Sequence, residues 1–83
     1  MNKKTKGINE IDLHGIRHQN ALDLVSQTLY RKQLQGSFTL TIITGNSSYL
    51  QKIIFEEILE RSQYKYYIPT WNLGQIIVEY IEL

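Results

Sequence analysis

Residues 37–44, SFTLTIIT, are dense in β-branched and aromatic side chains, and on both sides the apolar residues recur at helical spacing. A strand held between two amphipathic helices commits the chain to a layered α/β arrangement, because each helix must bury its apolar stripe against a sheet. Upstream, residues 17–35 carry Ala21, Leu22, Val25, Thr28 and Leu29 at helical spacing. Gly36 sits just past the end, where a C-terminal cap prefers glycine, and the start has no strong N-cap. Downstream, Gly45-Asn46 ends the strand. Residues 48–51 then fit a capping box, with Ser48 as N-cap and Gln51 reaching back, and Leu50, Ile53, Ile54 and Ile58 form a stripe to about residue 62.

Three shorter strands complete the pattern, at residues 10–13, 64–68 and 75–83. The first places Ile11 and Leu13 on one face and Asp12 and His14 on the other. Pro69 and Gly74 bound a loop before the last strand. The order is β-α-β-α-β-β. Crossover helices imply parallel strands, and the direct link at residues 69–74 makes the last pair antiparallel. The expected fold is a two-layer α/β sandwich, a four-stranded mixed sheet with both helices on one face.

Eighty-three residues leave room for one domain, expected at residues 10–83 behind a disordered basic arm at 1–9 that contains Lys3, Lys4 and Lys6. There is no cysteine, which excludes disulfides, thiolate zinc sites and cysteine catalysis. The longest apolar runs are two or three residues, so neither a membrane span nor a signal peptide is expected, and the default location is the cytoplasm. The formal charge is +1, but beyond Gly7 six basic residues face eight acidic ones, leaving the body near −2. That argues against indiscriminate nucleic-acid binding, so any polyanion site must be local or must borrow the arm.

Parallel pairing brings the ends of the first two strands, Asp12-Leu13-His14-Gly15 and Thr44-Gly45-Asn46-Ser47, to one edge, where sites in open α/β sheets occur. That edge would hold a carboxylate, an imidazole, a Gly-Asn turn and the positive end of the second helix, which favours phosphate. Acid–base groups beside an anion site suit phosphodiester chemistry. On local sequence alone, Asp12 serves equally as a cap of the nearby turn and His14 as closure of the sheet edge. A two-ligand metal site from the pair lacks a third His, Asp or Glu nearby in sequence.

With Ile11-Asp12-Leu13-His14-Gly15, Ala21-Leu22, Thr44-Gly45-Asn46-Ser47 and Gly74-Gln75-Ile76-Ile77-Val78 in this order, the chain resembles the small MutS-related, or Smr, domain family from about Ile11 to Leu83. The family's opening motif is Leu-Asp-x-His-Gly and its second motif His-Gly-x-Gly or Thr-Gly-x-Gly. Here Ile11 replaces the leucine and Ser47 the second glycine, and the segment before the last strand keeps only Gly74, with Trp71 in the loop. The resemblance implies a nucleic-acid endonuclease or binding domain, here standing alone, and RNA is the expected substrate over DNA because its own 2′-hydroxyl can be the attacking group. Relatives cleave RNA, some during rescue of stalled ribosomes, and some nick DNA.

The resemblance gives Asp12 and His14 the catalytic roles. Thr44, Gly45, Asn46, Ser47 and Ser48 would bind phosphate, Arg17 and Lys52 would clamp it, and Trp71 would offer a stacking surface. The sequence fixes no cofactor, and a divalent cation such as Mg2+ is the candidate. The expected partners are nucleic acid and the ribosome, with the protein a monomer or weak homodimer and no membrane involved. Tyr64, Tyr66, Tyr67 and Tyr80 read as sheet residues, His18 as a helix-start residue, and Glu56, Glu57 and Glu60 as a solvated face pointing away from nucleic acid. The alternatives are a non-catalytic nucleic-acid- or ribosome-binding module, and a homodimeric scaffold joined through the open sheet face.

Overall fold

A computed structural model describes residues 9–83, so Lys3, Lys4 and Lys6 lie outside the described residues. The elements are β1 (Glu10–Asp12), α1 (His18–Leu34), β2 (Phe38–Ile43), α2 (Ser48–Glu57), a single 3-10 turn (Leu59–Arg61), β3 (Lys65–Tyr67) and β4 (Gln75–Tyr80). The expected sandwich is what forms: a four-stranded mixed sheet with two helices packed on it.

The strand order is β1-β2-β4-β3, with β1 parallel to β2 and β4 antiparallel to both of its neighbours. The crossover through α2 therefore sets β3 parallel to β2 but one strand away, and β4 folds back into the gap. β4 is thus an interior strand, flanked by β2 and β3, and Ile76, Ile77 and Val78 along it are all buried. Asn9, assigned to the arm from sequence, is bound into this sheet. Its carbonyl accepts from Thr41 N–H at 2.8 Å and its side-chain oxygen from Lys32 Nζ at 2.9 Å.

One face of the sheet supplies Ile11, Leu13, Leu40, Ile42, Ile76 and Val78 to the core, and the helices answer with Ala21, Val25, Leu29, Leu50, Ile54 and Leu59. The period of two in the strands and the helical period in α1 and α2 thus meet in one layer. Tyr64, Phe38 and Tyr80 extend that layer as an aromatic cluster, with ring centroids 5.7–5.8 Å apart.

The second helix departs from expectation at both ends. Its N-cap is Ser47, whose hydroxyl accepts the Leu50 N–H at 3.1 Å, so Ser48 already lies inside the first turn. It stops at Glu57 and not near residue 62: Ile58 leaves helical geometry at φ −125°, ψ −60°. That break carries Leu59 fully into the core, and Ser62 Oγ donates to the Leu59 carbonyl at 2.6 Å to close the 3-10 turn. The first helix starts at His18, and its N-cap Arg17 makes no side-chain cap bond, as its sequence implies.

Candidate active site

The parallel β1–β2 pair delivers two chain ends to one edge of the sheet. Leaving β1, Leu13 donates its N–H to the Ile43 carbonyl at 2.8 Å and remains buried, which turns the next side chain, His14, out into solvent. Asp12 Oδ1 accepts the His14 backbone N–H at 2.9 Å, and Ile16 N–H closes on the Leu13 carbonyl at 3.0 Å. The carboxylate thus fixes the backbone that presents the imidazole, the capping role open to an aspartate at a strand end.

Leaving β2, Gly45 adopts φ +68°, a left-handed conformation that disfavours any side chain. A β-carbon there would stand 3.8 Å from Cδ2 of His14, so the imidazole lies alongside this turn. Gly74 closes the third side. A β-carbon on it would come within 3.2 Å of the Gly45 carbonyl carbon and oxygen, a backbone contact tighter than side chains usually make.

A buried polar network holds the three segments together. The Gly74 carbonyl receives the N–H groups of Thr44 at 2.9 Å and Gly45 at 3.1 Å. Gln51 Nε2 donates to Thr44 Oγ1 at 2.9 Å and to the Leu73 carbonyl at 2.8 Å. Thr44 Oγ1 in turn has the carbonyls of Gly45 and Gly74 as acceptors, at 2.9 and 3.1 Å. Asn72 Oδ1 accepts the Gly74 N–H at 2.9 Å and shapes the loop from within.

This geometry redistributes the roles read from sequence. Thr44 is buried and its hydroxyl is engaged within the protein, so it holds the turn in place. The Gly45 N–H is likewise taken by Gly74, and Gln51 is a buried network residue, not the second half of a capping box. Ser47 occupies φ −84°, ψ 96°, ordinary extended backbone, so the serine in place of glycine introduces no strain and supplies the helix cap.

Among the described residues the amides of Asn46, Ser48 and Tyr49, at the positive end of α2, donate to no protein acceptor. Arg17 is exposed where α1 begins. Lys52, one turn into α2, lines an open groove with Ser48, Gln51 and Phe55. Glu56 and Glu60 line that same groove, so these two carboxylates sit with Lys52 and partly offset it as a phosphate clamp. Trp71 stands 73% exposed in the β3–β4 loop that packs on Gly45.

Two further exposed side chains escaped the sequence reading. Leu73 shares the loop with Trp71, and Tyr49 at the start of α2 meets His18 of α1 ring to ring. An aromatic residue directly after the cap of a helix was the available signal for Tyr49. Among the described residues no three His, Asp or Glu side chains come together as a metal site, and no helix is long and apolar enough to cross a membrane.

The family model described as Smr domain matches residues 11–70. No curated protein and no solved structure matches the chain. The matched span opens at Ile11, directly before Asp12 and His14, takes in both helices and the Thr44–Ser47 turn, and ends at the loop before β4. Extending over well more than half of the 83 residues, it shows that the chain belongs to the Smr domain family, which is associated with nucleic-acid binding and nuclease activity.

Proposed function

We propose that this protein is an endoribonuclease in which His14 is the acid–base group and the amides at the start of α2 hold the scissile phosphate. The observation that carries the reading is the placement of the exposed His14 imidazole beside Gly45, directly before donors that lack an acceptor. Histidine exchanges protons near neutral pH, and helix N-termini favour phosphate oxygens.

In RNA the nucleophile is the substrate's own 2′-hydroxyl. Its oxygen bonds to the adjacent phosphorus, the bond to the 5′-oxygen breaks, and the products are a 2′,3′-cyclic phosphate and a free 5′-hydroxyl. The 2′-hydroxyl loses a proton and the 5′-oxygen gains one, so the enzyme's task is to move that proton and to stabilise charge on the non-bridging oxygens. His14 serves the first need and the amides of Asn46, Ser48 and Tyr49 the second. Asp12 acts through the His14 backbone it holds, as a positioning residue. Arg17, at the start of α1, and Lys52, in α2, add positive charge.

The test is incubation of the purified protein with single-stranded and structured RNA and with matched DNA, with and without a divalent cation. RNA cleavage that is lost in His14→Ala is the expected result. Cleavage unchanged in His14→Ala, or DNA cut as readily as RNA, overturns the assignment. Salt-sensitive binding with no turnover would favour the alternative of a non-catalytic binding module.

A further inference from the structure

The pairing of His18 with Tyr49 is used neither by the core nor by the chemistry above. Their ring centroids are 5.0 Å apart at an interplanar angle of 48°, yet His18 is exposed and Tyr49 is 57% exposed. They come from different elements, His18 opening α1 and Tyr49 lying in the first turn of α2, so the contact fixes two rings at the surface between two helix N-termini. A tyrosine recruited for packing would join Leu50 and Ile54, the buried side of α2. Instead it leaves most of an aromatic ring in water.

Position along the chain ties this pair to the candidate site. His18 is four residues beyond His14 and Tyr49 four beyond Gly45. Even a fully extended chain keeps each within about 14 Å of the His14–Gly45 contact. The Tyr49 backbone N–H is itself one of the amides without an acceptor among the described residues. A phosphate held there would have the exposed Tyr49 side chain on the same residue as one of its donors.

We infer that His18 and Tyr49 form a stacking platform for one unpaired base, that of a nucleotide flanking the bound phosphate. This rests on the nucleic-acid reading above. Aromatic faces accept any base, and a base is free to stack on protein only when it is not held in a duplex, so the platform confers a preference for single strands without a sequence preference. Stacking of this kind is worth about 1–3 kcal/mol per base, or roughly 5- to 150-fold in affinity.

The experiment titrates short single strands that resist cleavage, one of 2′-O-methyl RNA and one of DNA, each also made with an abasic site at every position in turn. The proteins are the wild type, Tyr49→Ala, Tyr49→Phe and His18→Ala, with thermal unfolding as the check that these surface changes leave the fold intact. The wild type is expected to lose roughly 5- to 150-fold when one particular base is removed. Tyr49→Ala should bind more weakly by a similar factor and be indifferent to that abasic site, His18→Ala should lie between, and Tyr49→Phe should match the wild type. If Tyr49→Ala binds as the wild type does, or pays the same abasic penalty, the platform is refuted while the nucleic-acid reading stands. If the wild type binds none of the strands, both are refuted. Equal platform effects on the two chemistries identify the base alone as the ligand, and an effect confined to DNA overturns the platform as part of a ribonuclease.

Discussion

Asp12 serves the backbone of His14: its carboxylate oxygen receives the His14 N–H in the turn that presents the imidazole. Asp12→Asn keeps an oxygen in that place and Asp12→Ala removes it. Cleavage assays are therefore expected to show a loss of tenfold or more, about 1.4 kcal/mol of transition-state stabilisation, in the alanine variant and a clearly smaller loss in the asparagine variant. Equal losses in the two would show that charge, not positioning, is what the residue supplies. Asp12, His14 and Gly45 were legible because each sits at a strand end punctuated by glycine. The roles of Thr44 and Gln51 were not, because their hydrogen bonds reach Gly74 and Leu73 across 30 and 22 positions of sequence. No local pattern encodes such a partnership.

The second helix shows how a correct element can be entered one residue out of register. Ser47 and Ser48 both satisfy the preference for a small hydroxyl at a helix start, and the glutamine three positions after Ser48 completes a capping box on paper. Burial decides between them: Gln51 is needed inside, bonded to Thr44, which makes Ser47 the cap. Ser47→Ala is expected to lower stability by about 1 kcal/mol in urea unfolding, whereas Ser47→Gly, the residue the family carries there, should cost only a few tenths. A second consequence lies in the aromatic cluster of β2, β3 and β4. Burial, and then the neighbouring Tyr80 phenol, raise the Tyr64 pKa above its ordinary value near 10. A raised pKa means that the folded state holds its proton more tightly than the unfolded chain, so this contribution to stability is intact below about pH 10 and is lost as pH rises through the folded value. Tyr64→Phe should flatten the fall in melting temperature at alkaline pH.

For the whole molecule, the alternation of strands and helices was enough to predict the layers, but the insertion of β4 between β2 and β3 was not. A loop of Pro69 to Gly74 dictates that β3 and β4 run antiparallel and is silent on which side of β3 the last strand lies. The triple run Ile76-Ile77-Val78 was the sign of a central strand, since an outer strand seldom needs three successive buried residues. Charge is the other property of the whole chain. Lys3, Lys4 and Lys6 turn a body near −2 into a protein of +1, so replacing all three with glutamine should weaken RNA binding and reduce the slope of log affinity against log salt by about two. Identical slopes would assign the phosphate contacts to residues such as Arg17, Lys52 and Lys65. The central claim is that His14 moves the proton while the substrate's 2′-hydroxyl attacks, and the most direct measurement compares one labelled RNA with the same RNA carrying a single 2′-deoxy nucleotide at the mapped cleavage site. Wild-type protein should cut the first to a 2′,3′-cyclic phosphate and leave the second intact at that position, with His14→Ala inactive on both; cleavage at the deoxy position, or retained by His14→Ala, would contradict it.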